Sequence, residues 1–323
     1  MKVNDFMLYL LKELMTKKEI TESTATLYIK NLYALNNKSP FLNLSFLKNV
    51  ESIDNILNNY SENTKKTFLS GITSVLSLYK DKPSYKKIYE HYFNKMMAKA
   101  EEVAEKNDNV MTKKESENWM TWNDIITIKN ALKEKVDEIV KNQKTGFTTP
   151  AQYNVVLNYL ILSLYTDMPP RRNQDYMNMY VIHSLKDHDK TKNYLDFTNK
   201  KFYFNSYKTA KSYGTQTIDI SPELMEVIKI YLSFHPLNPS QKLKLPKNAE
   251  FKFLVYDDGS GFNSVNSITR ILNKILNKKI GSSMLRHIYL STKYDIDEMN
   301  KDAEQMGHST EEQKKYMKSP TII

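Results

Sequence analysis

The chain contains no cysteine. That excludes disulfides, thiolate catalysis and Cys-ligated zinc. It also lacks an apolar run long enough to span a bilayer. The N-terminal MKVNDFMLYLLKELMTKK pairs Lys2 with an apolar stretch, but Asp5 and Glu13 interrupt it and no small-residue cleavage site follows, so it reads as an amphipathic helix rather than a signal peptide. No internal repeat or low-complexity tract is present. What remains is a chain of 323 residues, 40% hydrophobic, which is enough for a folded core and more than one core usually holds, so two domains are expected. The net charge of +10 is carried by both halves and favours a polyanion, nucleic acid first. A soluble Lys-rich protein from an AT-rich genome, with the same abundance of Asn, Lys, Ile and Tyr, would show the same charge.

Apolar spacing predicts helices over 3–17 (Phe6, Met7, Leu10, Leu11, Leu14), 22–36 behind a Thr21 or Ser23 cap, 51–59, 64–80 capped by Asn63, and 84–106 opened by Pro83. The stretch 105–118 is polar and aperiodic. It sets the expected boundaries: a helical domain 1–108, a linker 109–118 and a second domain 119–323. In the second domain Thr121 caps a helix over 122–142, and an apolar helix over 150–166 ends at Asp167-Met168-Pro169-Pro170, where prolines deny further backbone donors. Arg171 and Arg172 follow at the positive end of a new helix. Short β-rich runs come next, and the last two read as a hairpin whose turn spans 209–214, with Lys208 and Lys211 at or near its tip. A helix from Ser221-Pro222 to about 234, a strand over 251–256 and a helix over 263–277 complete a mainly α fold with a small β-sheet, class α+β.

The stretch 281–318 draws the chemistry together. It holds Arg286 at a helix start, then Gly307-His308, then Tyr316. A phosphodiester attacked by an oxygen nucleophile gathers negative charge on its non-bridging oxygens. Clustered carboxylates holding magnesium are one answer to that charge. Two guanidiniums, whose planar forks match phosphate, are another. Arg172 and Arg286 can fill that role, Lys208 (Lys211 second) can protonate the leaving oxygen, His308 can hydrogen-bond the phosphate and Tyr316 can attack. Each also has a plainer role. Arg172 could be a surface Arg paired with Asp175, and Arg171 competes with it, with only the Arg-x-x-Asp spacing favouring Arg172. Lys208 could be solvated, His308 an ordinary turn residue, and Tyr316 a packing aromatic like Tyr289 and Tyr294. Arg286, flanked by Leu285 and Ile288, is better read as a buried charge with a purpose. Asp295, Asp297, Glu298 and Asp302 lack the Gly and the terminal Glu of a calcium loop and read as an acidic helix start. His183, His188 and His235 show no ligand spacing and read as surface residues.

The ordered set Arg172-Asn-Gln-Asp175-Tyr176, Lys208 in SYKTAK, Ser283-Met-Leu285-Arg286-His287, Met306-Gly307-His308 and Tyr316 resembles the tyrosine recombinases, the phage-integrase superfamily. The resemblance covers about 118–323, and TESTATLYIKNLYALN and SENTKKTFLSGITSVLSLYK in the first domain look similar to that family's core-binding domain. It implies a site-specific recombinase or integrase from a virus or mobile element, acting wherever its target DNA is. Such an enzyme cleaves and rejoins duplex DNA through a 3′-phosphotyrosyl intermediate without cofactor, metal or ATP. The implied assembly is a homo-tetramer on paired sites, with no membrane and no small-molecule substrate. A type IB topoisomerase-like enzyme and a catalytically impaired DNA-binding relative are the alternatives, and a metal nuclease is more distant. Two departures stand out. Ser283 occupies the position of the family's usual His, so base help from that position is missing, or is supplied by His287, Ser282 or water, with His287 mostly structural in the family. The interval from His308 to Tyr316 is about one residue short. Seven residues follow Tyr316, so assembly contacts are expected from elsewhere, such as residues 1–17.

Overall fold

The computed structural model describes residues 2–105, 111–142, 149–185, 189–238, 245–292, 296–309, 312–313 and 316. The chain divides into two compact units, Met1–Asp108 and Asn109–Ile323.

The first unit is helical: α1 (Asp5–Lys17), α2 (Glu22–Leu35), α3 (Val50–Leu57), α4 (Glu62–Leu76) and α5 (Pro83–Glu105). Short polar side chains start three of them, Asn4 accepting from the Met7 N–H, Thr21 from Thr24 and Asn49 from Ser52. The apolar stripes meet in one core that includes Met7, Leu10, Leu14, Ile29, Leu32, Ile72 and Val75, and Tyr92 donates its buried hydroxyl to the Leu47 carbonyl at 3.0 Å. Leu27, on the α2 stripe, faces solvent. The start of α4 differs from expectation. Ser61 is the extended residue before the helix and Asn63 is already inside it, with Glu62 placing a negative charge on the first turn.

The second unit is α+β. Its elements are α6 (Lys113–Asn118), α7 (Trp122–Asn142), α8 (Pro150–Leu164), α9 (Asn173–Met177), β1 (Met179–Ile182), β2 (Asn193–Asp196), β3 (Lys201–Phe204), α10 (Ala210–Tyr213), β4 (Gln216–Asp219), α11 (Pro222–Phe234), β5 (Glu250–Lys252), α12 (Asn266–Leu276), α13 (Ser282–Thr292) and α14 (Ile296–Met306). The five-stranded sheet runs β4-β3-β2-β1-β5, with β1 and β2 parallel and the other pairs antiparallel. Helix α8 is the central rod, buried at Val156, Leu157, Leu160, Ile161, Leu162 and Leu164. Within 109–118, read as a linker from its polarity, Lys113–Asn118 is helical because Thr112 and Glu115 form a reciprocal capping box. Strand β1, Met179–Ile182, was not foreseen; it follows α9 after a single residue, with no turn residue of the Gly or Pro kind to mark its start. The β3–β4 connection is longer than a hairpin turn and contains the one-turn helix α10. Strand β5 ends at Lys252, short of the expected 256, and Val255 instead bridges to Gly261 across the following turn.

His235 is a correction. It is buried at the end of α11, with Nε2 3.1 Å from the Phe253 carbonyl and Nδ1 accepting the Leu237 N–H at 3.1 Å. One donor and one acceptor suit a neutral ring, and burial pulls its pKa down to about 4. The unfolded chain therefore takes up a proton that the folded one refuses between about pH 6.5 and 4, so stability falls as pH falls through that window. Urea midpoints measured across this range should decline less steeply for His235→Gln than for the parent. His183 is half-buried, with its Nδ1 3.3 Å from the Thr198 hydroxyl, and His188 lies outside the described residues. Asp295 and Tyr294 lie outside them too, as do the side chains of Asp297 and Glu298, while Asp302 accepts from Tyr289 at 3.0 Å. Among the described residues no group of His, Asp or Glu could hold a metal, and no helix is long and apolar enough to cross a membrane.

Candidate active site

Two arginines leave the α8–α9 turn in different directions. Helix α9 is anchored at its first residue: Asn173 accepts the Tyr165 hydroxyl at 2.6 Å and donates to the Val265 carbonyl (3.0 Å) and the Thr269 hydroxyl (2.9 Å). Arg171 turns inward. It is fully buried, pairs with Asp175 at 2.9 Å and lies 3.8 Å from the centre of the Phe204 ring. Arg172 is half-buried and reaches His308, its Nη2 3.3 Å from Nδ1. The partner of Asp175 is thus Arg171, not Arg172, and it is Arg172 that reaches His308.

Arg286 is buried on the apolar helix α13. Its Nη1 lies 2.7 Å from His308 Nε2, Nη2 donates to the Ser283 hydroxyl at 3.2 Å, and its guanidinium lies 4.6 Å from the centre of the Tyr316 ring. Ser283 therefore steadies this arginine. His308 owes its place to the end of α14. Gly307 takes φ +69°, its N–H returns to the Glu304 carbonyl at 3.0 Å, and the His308 N–H returns to the Ala303 carbonyl at 2.9 Å. This is a Schellman turn, with glycine at the left-handed position and the histidine folded back over the helix end. The Tyr316 ring is half-buried, edge-on to His308 with centroids 4.9 Å apart, and 5.0 Å from the His287 ring, whose Nδ1 meets the Tyr316 carbonyl.

Lys208 lies in the β3–β4 connection. Asn193 on β2 fixes the start of that loop by accepting from the N–H groups of Asn205 and Ser206, both at 2.8 Å, and the Tyr207 hydroxyl closes it onto the Gly214 carbonyl at 2.8 Å. Lys208 is exposed, and its charge acts on His308; Lys211, on α10, is exposed as well. The structure thus gathers Arg172, Arg286, Ser283, His308 and Tyr316 by direct contact, with Lys208 close enough to be felt.

The electrostatics are one-sided. Burial, then the charges of Arg172, Arg286, Lys208 and Arg171, pull the His308 pKa down to about 3. Burial, with Arg172 beside it, also lowers that of Arg286. A neutral imidazole has one accepting nitrogen, yet each of its nitrogens here faces a guanidinium. The 2.7 Å contact takes the lone pair, which leaves Nδ1–H opposed to the Arg172 donors. Among the described residues, Arg172 Nη1 and Arg171 Nη2 are buried without a partner, and Arg171–Asp175 is the one arginine ion pair. The spare Arg172 donor, at a histidine that also packs on the Tyr316 ring, suits a tetrahedral oxyanion.

Sequence reasoning passed over two neighbours, Thr209 and Gln216, whose side chains reach the end of α14. It also passed over a countable signal: the chain has four arginines against 43 lysines. Three of the four act on His308, and the fourth, Arg270, is exposed.

No family model matches the chain, and no curated protein matches it. Among solved structures, the chain is similar to the XerA recombinase, with a TM-score of 0.38 and 12% identity over 98% of this chain and 94% of that one.

Proposed function

We propose that the chain is a tyrosine recombinase, a site-specific DNA recombinase or integrase of phage-integrase type. The carrying observation is the convergence of Arg172 and Arg286 on one neutral imidazole with the Tyr316 ring against them and donors left over. The scissile phosphate occupies the donor-lined space and takes the bonds that His308 cannot supply to both guanidiniums. Tyr316 attacks phosphorus, the bond to the 5′-oxygen breaks, and Lys208 protonates that oxygen. The product is a 3′-phosphotyrosyl ester and a 5′-hydroxyl, and a partner strand's hydroxyl reverses the step, so the bond energy is conserved without ATP. Negative charge grows on oxygens already facing fixed donors, which is where such groups lower a barrier most. Arg286 holds Ser283, so the family's usual base is absent here and the phenolic proton leaves by water. The helical unit contacts DNA, 119–323 carries the chemistry, and four copies join two sites on a viral or mobile element.

The test is incubation in EDTA with a nicked duplex that traps the covalent state, read as a band shifted in SDS. The parent should form the band and Tyr316→Phe should not. An adduct that survives in Tyr316→Phe assigns the wrong tyrosine. Duplex binding without any adduct in the parent leaves a DNA-binding relative that has lost the chemistry. Relaxation of supercoiled DNA by the monomer would point to a type IB topoisomerase instead.

A further inference from the structure

The end of α14 is received by side chains from two distant segments. A helix leaves its last carbonyls without intrahelical donors. Here the Glu304 carbonyl accepts from Gln216 Nε2 on β4, the Gln305 carbonyl from Arg171 Nη1, and the Gly307 carbonyl from the Thr209 hydroxyl. Arg171 is itself fixed by Asp175, by the Phe204 face and by Gln216 Oε1 at 2.9 Å, so Gln216 bridges the arginine and the helix end. A buried cation at a helix C-terminus also complements the helix dipole. The fit is close: a Cβ on Gly307 would stand 2.8 Å from Tyr207 Cε2 and 3.1 Å from Thr209 Oγ1. Tyr207 and Thr209 flank Lys208, so one loop presents the lysine and grips the turn that carries His308.

We infer that Arg171, Gln216 and Thr209 are positioning residues, a dock for the end of α14 that sets the His308 ring between Arg172 and Arg286. Its consequence for catalysis rests on the proposed function, whereas its consequence for His308 does not. Arg171 is buried away from reacting atoms and acts through the helix end. Without the Thr209 bond the turn loosens, and the imidazole leaves the buried place between two guanidiniums that keeps it neutral.

Thr209→Val removes the hydroxyl at nearly constant shape, and Thr209→Ser restores it. The first readout is the titration of histidine ring signals in the full-length protein by NMR, with His308 identified by its loss in His308→Gln. In the parent and Thr209→Ser, His308 should stay neutral down to the acid end of the titration. In Thr209→Val its midpoint should rise by about one pH unit or more toward the ordinary value. The second readout is the single-turnover rate of adduct formation at saturating nicked duplex. It should fall about tenfold in Thr209→Val with DNA affinity held, and recover in Thr209→Ser. A Thr209→Val protein whose His308 titrates as in the parent overturns the dock, even if its melting temperature drops, because a merely structural bond would do that alone. If the parent forms no adduct, the proposed function fails and the titration still decides the dock.

Discussion

Exchanging Arg286 for Lys should slow covalent adduct formation by about two to three orders of magnitude, the range seen when one preorganised oxyanion donor is lost. The charge survives this substitution but the fork does not. Arg286 divides its donors among His308 Nε2, the Ser283 hydroxyl and the Ser282 carbonyl while keeping its plane against the Tyr316 ring. An ammonium is a single point with a strong hydration shell, and it cannot hold that geometry and face phosphorus too. Duplex affinity should fall by no more than about threefold, since one phosphate contact among many is weakened. Quenched-flow rates alongside fluorescence anisotropy separate the two effects. A lysine variant within tenfold of the parent rate would remove the case for bidentate neutralisation.

Arg171→Met should destabilise the second unit by about 3–5 kcal/mol, the cost of leaving a buried charge without its partner. Arg171 and Asp175 are both fully buried, so solvent offers no relief. Adding Asp175→Asn should recover much of the loss, and the coupling is read from the urea transitions of the four proteins. The pH dependence has a definite sign. Burial already pushes the Asp175 carboxyl above its ordinary value, and Arg171 is the first charge that opposes the rise. Without that guanidinium the folded pKa climbs further. A carboxyl whose folded pKa is raised favours the folded state at low pH and loses that contribution as pH rises through the folded pKa. The deficit of Arg171→Met should therefore be wider at pH 8 than at pH 5.

Much of this was legible in residues alone, for identifiable reasons. Helices α1 and α2 follow from their apolar stripes, with Thr21 capping the second, and α5 from the Pro83 that opens it, because caps and periodicity are local signals. Arg286 stands out because an arginine on an apolar helix face must have a use for its charge. Gly307-His308 was legible only as a turn, and that it closes a helix with glycine in the left-handed conformation comes from the structure. The directions of Arg171 and Arg172 are a different matter. Adjacent residues at a helix start share every local property, and only the anchoring of Asn173 to Tyr165 and Thr269 decides which one turns inward. The burial of His235 is likewise a tertiary fact: the Phe251 ring packs on it and the Phe253 carbonyl meets its Nε2, and both lie on a segment distant in sequence. Thr209 and Gln216 are unremarkable in sequence because their partners lie 98 and 88 positions away.

Those separations, with the 134 positions between Arg171 and Gln305, bear on the order in which the molecule assembles. Loop-closure entropy has to be met before distant contacts return anything, so pieces far apart in the chain join late. Neighbouring helices and the β2–β3 hairpin can form while α14 is still unmade. When Arg171 and Lys208 have emerged from the ribosome, the dock still waits for the turn at Gly307 that brings His308 to it.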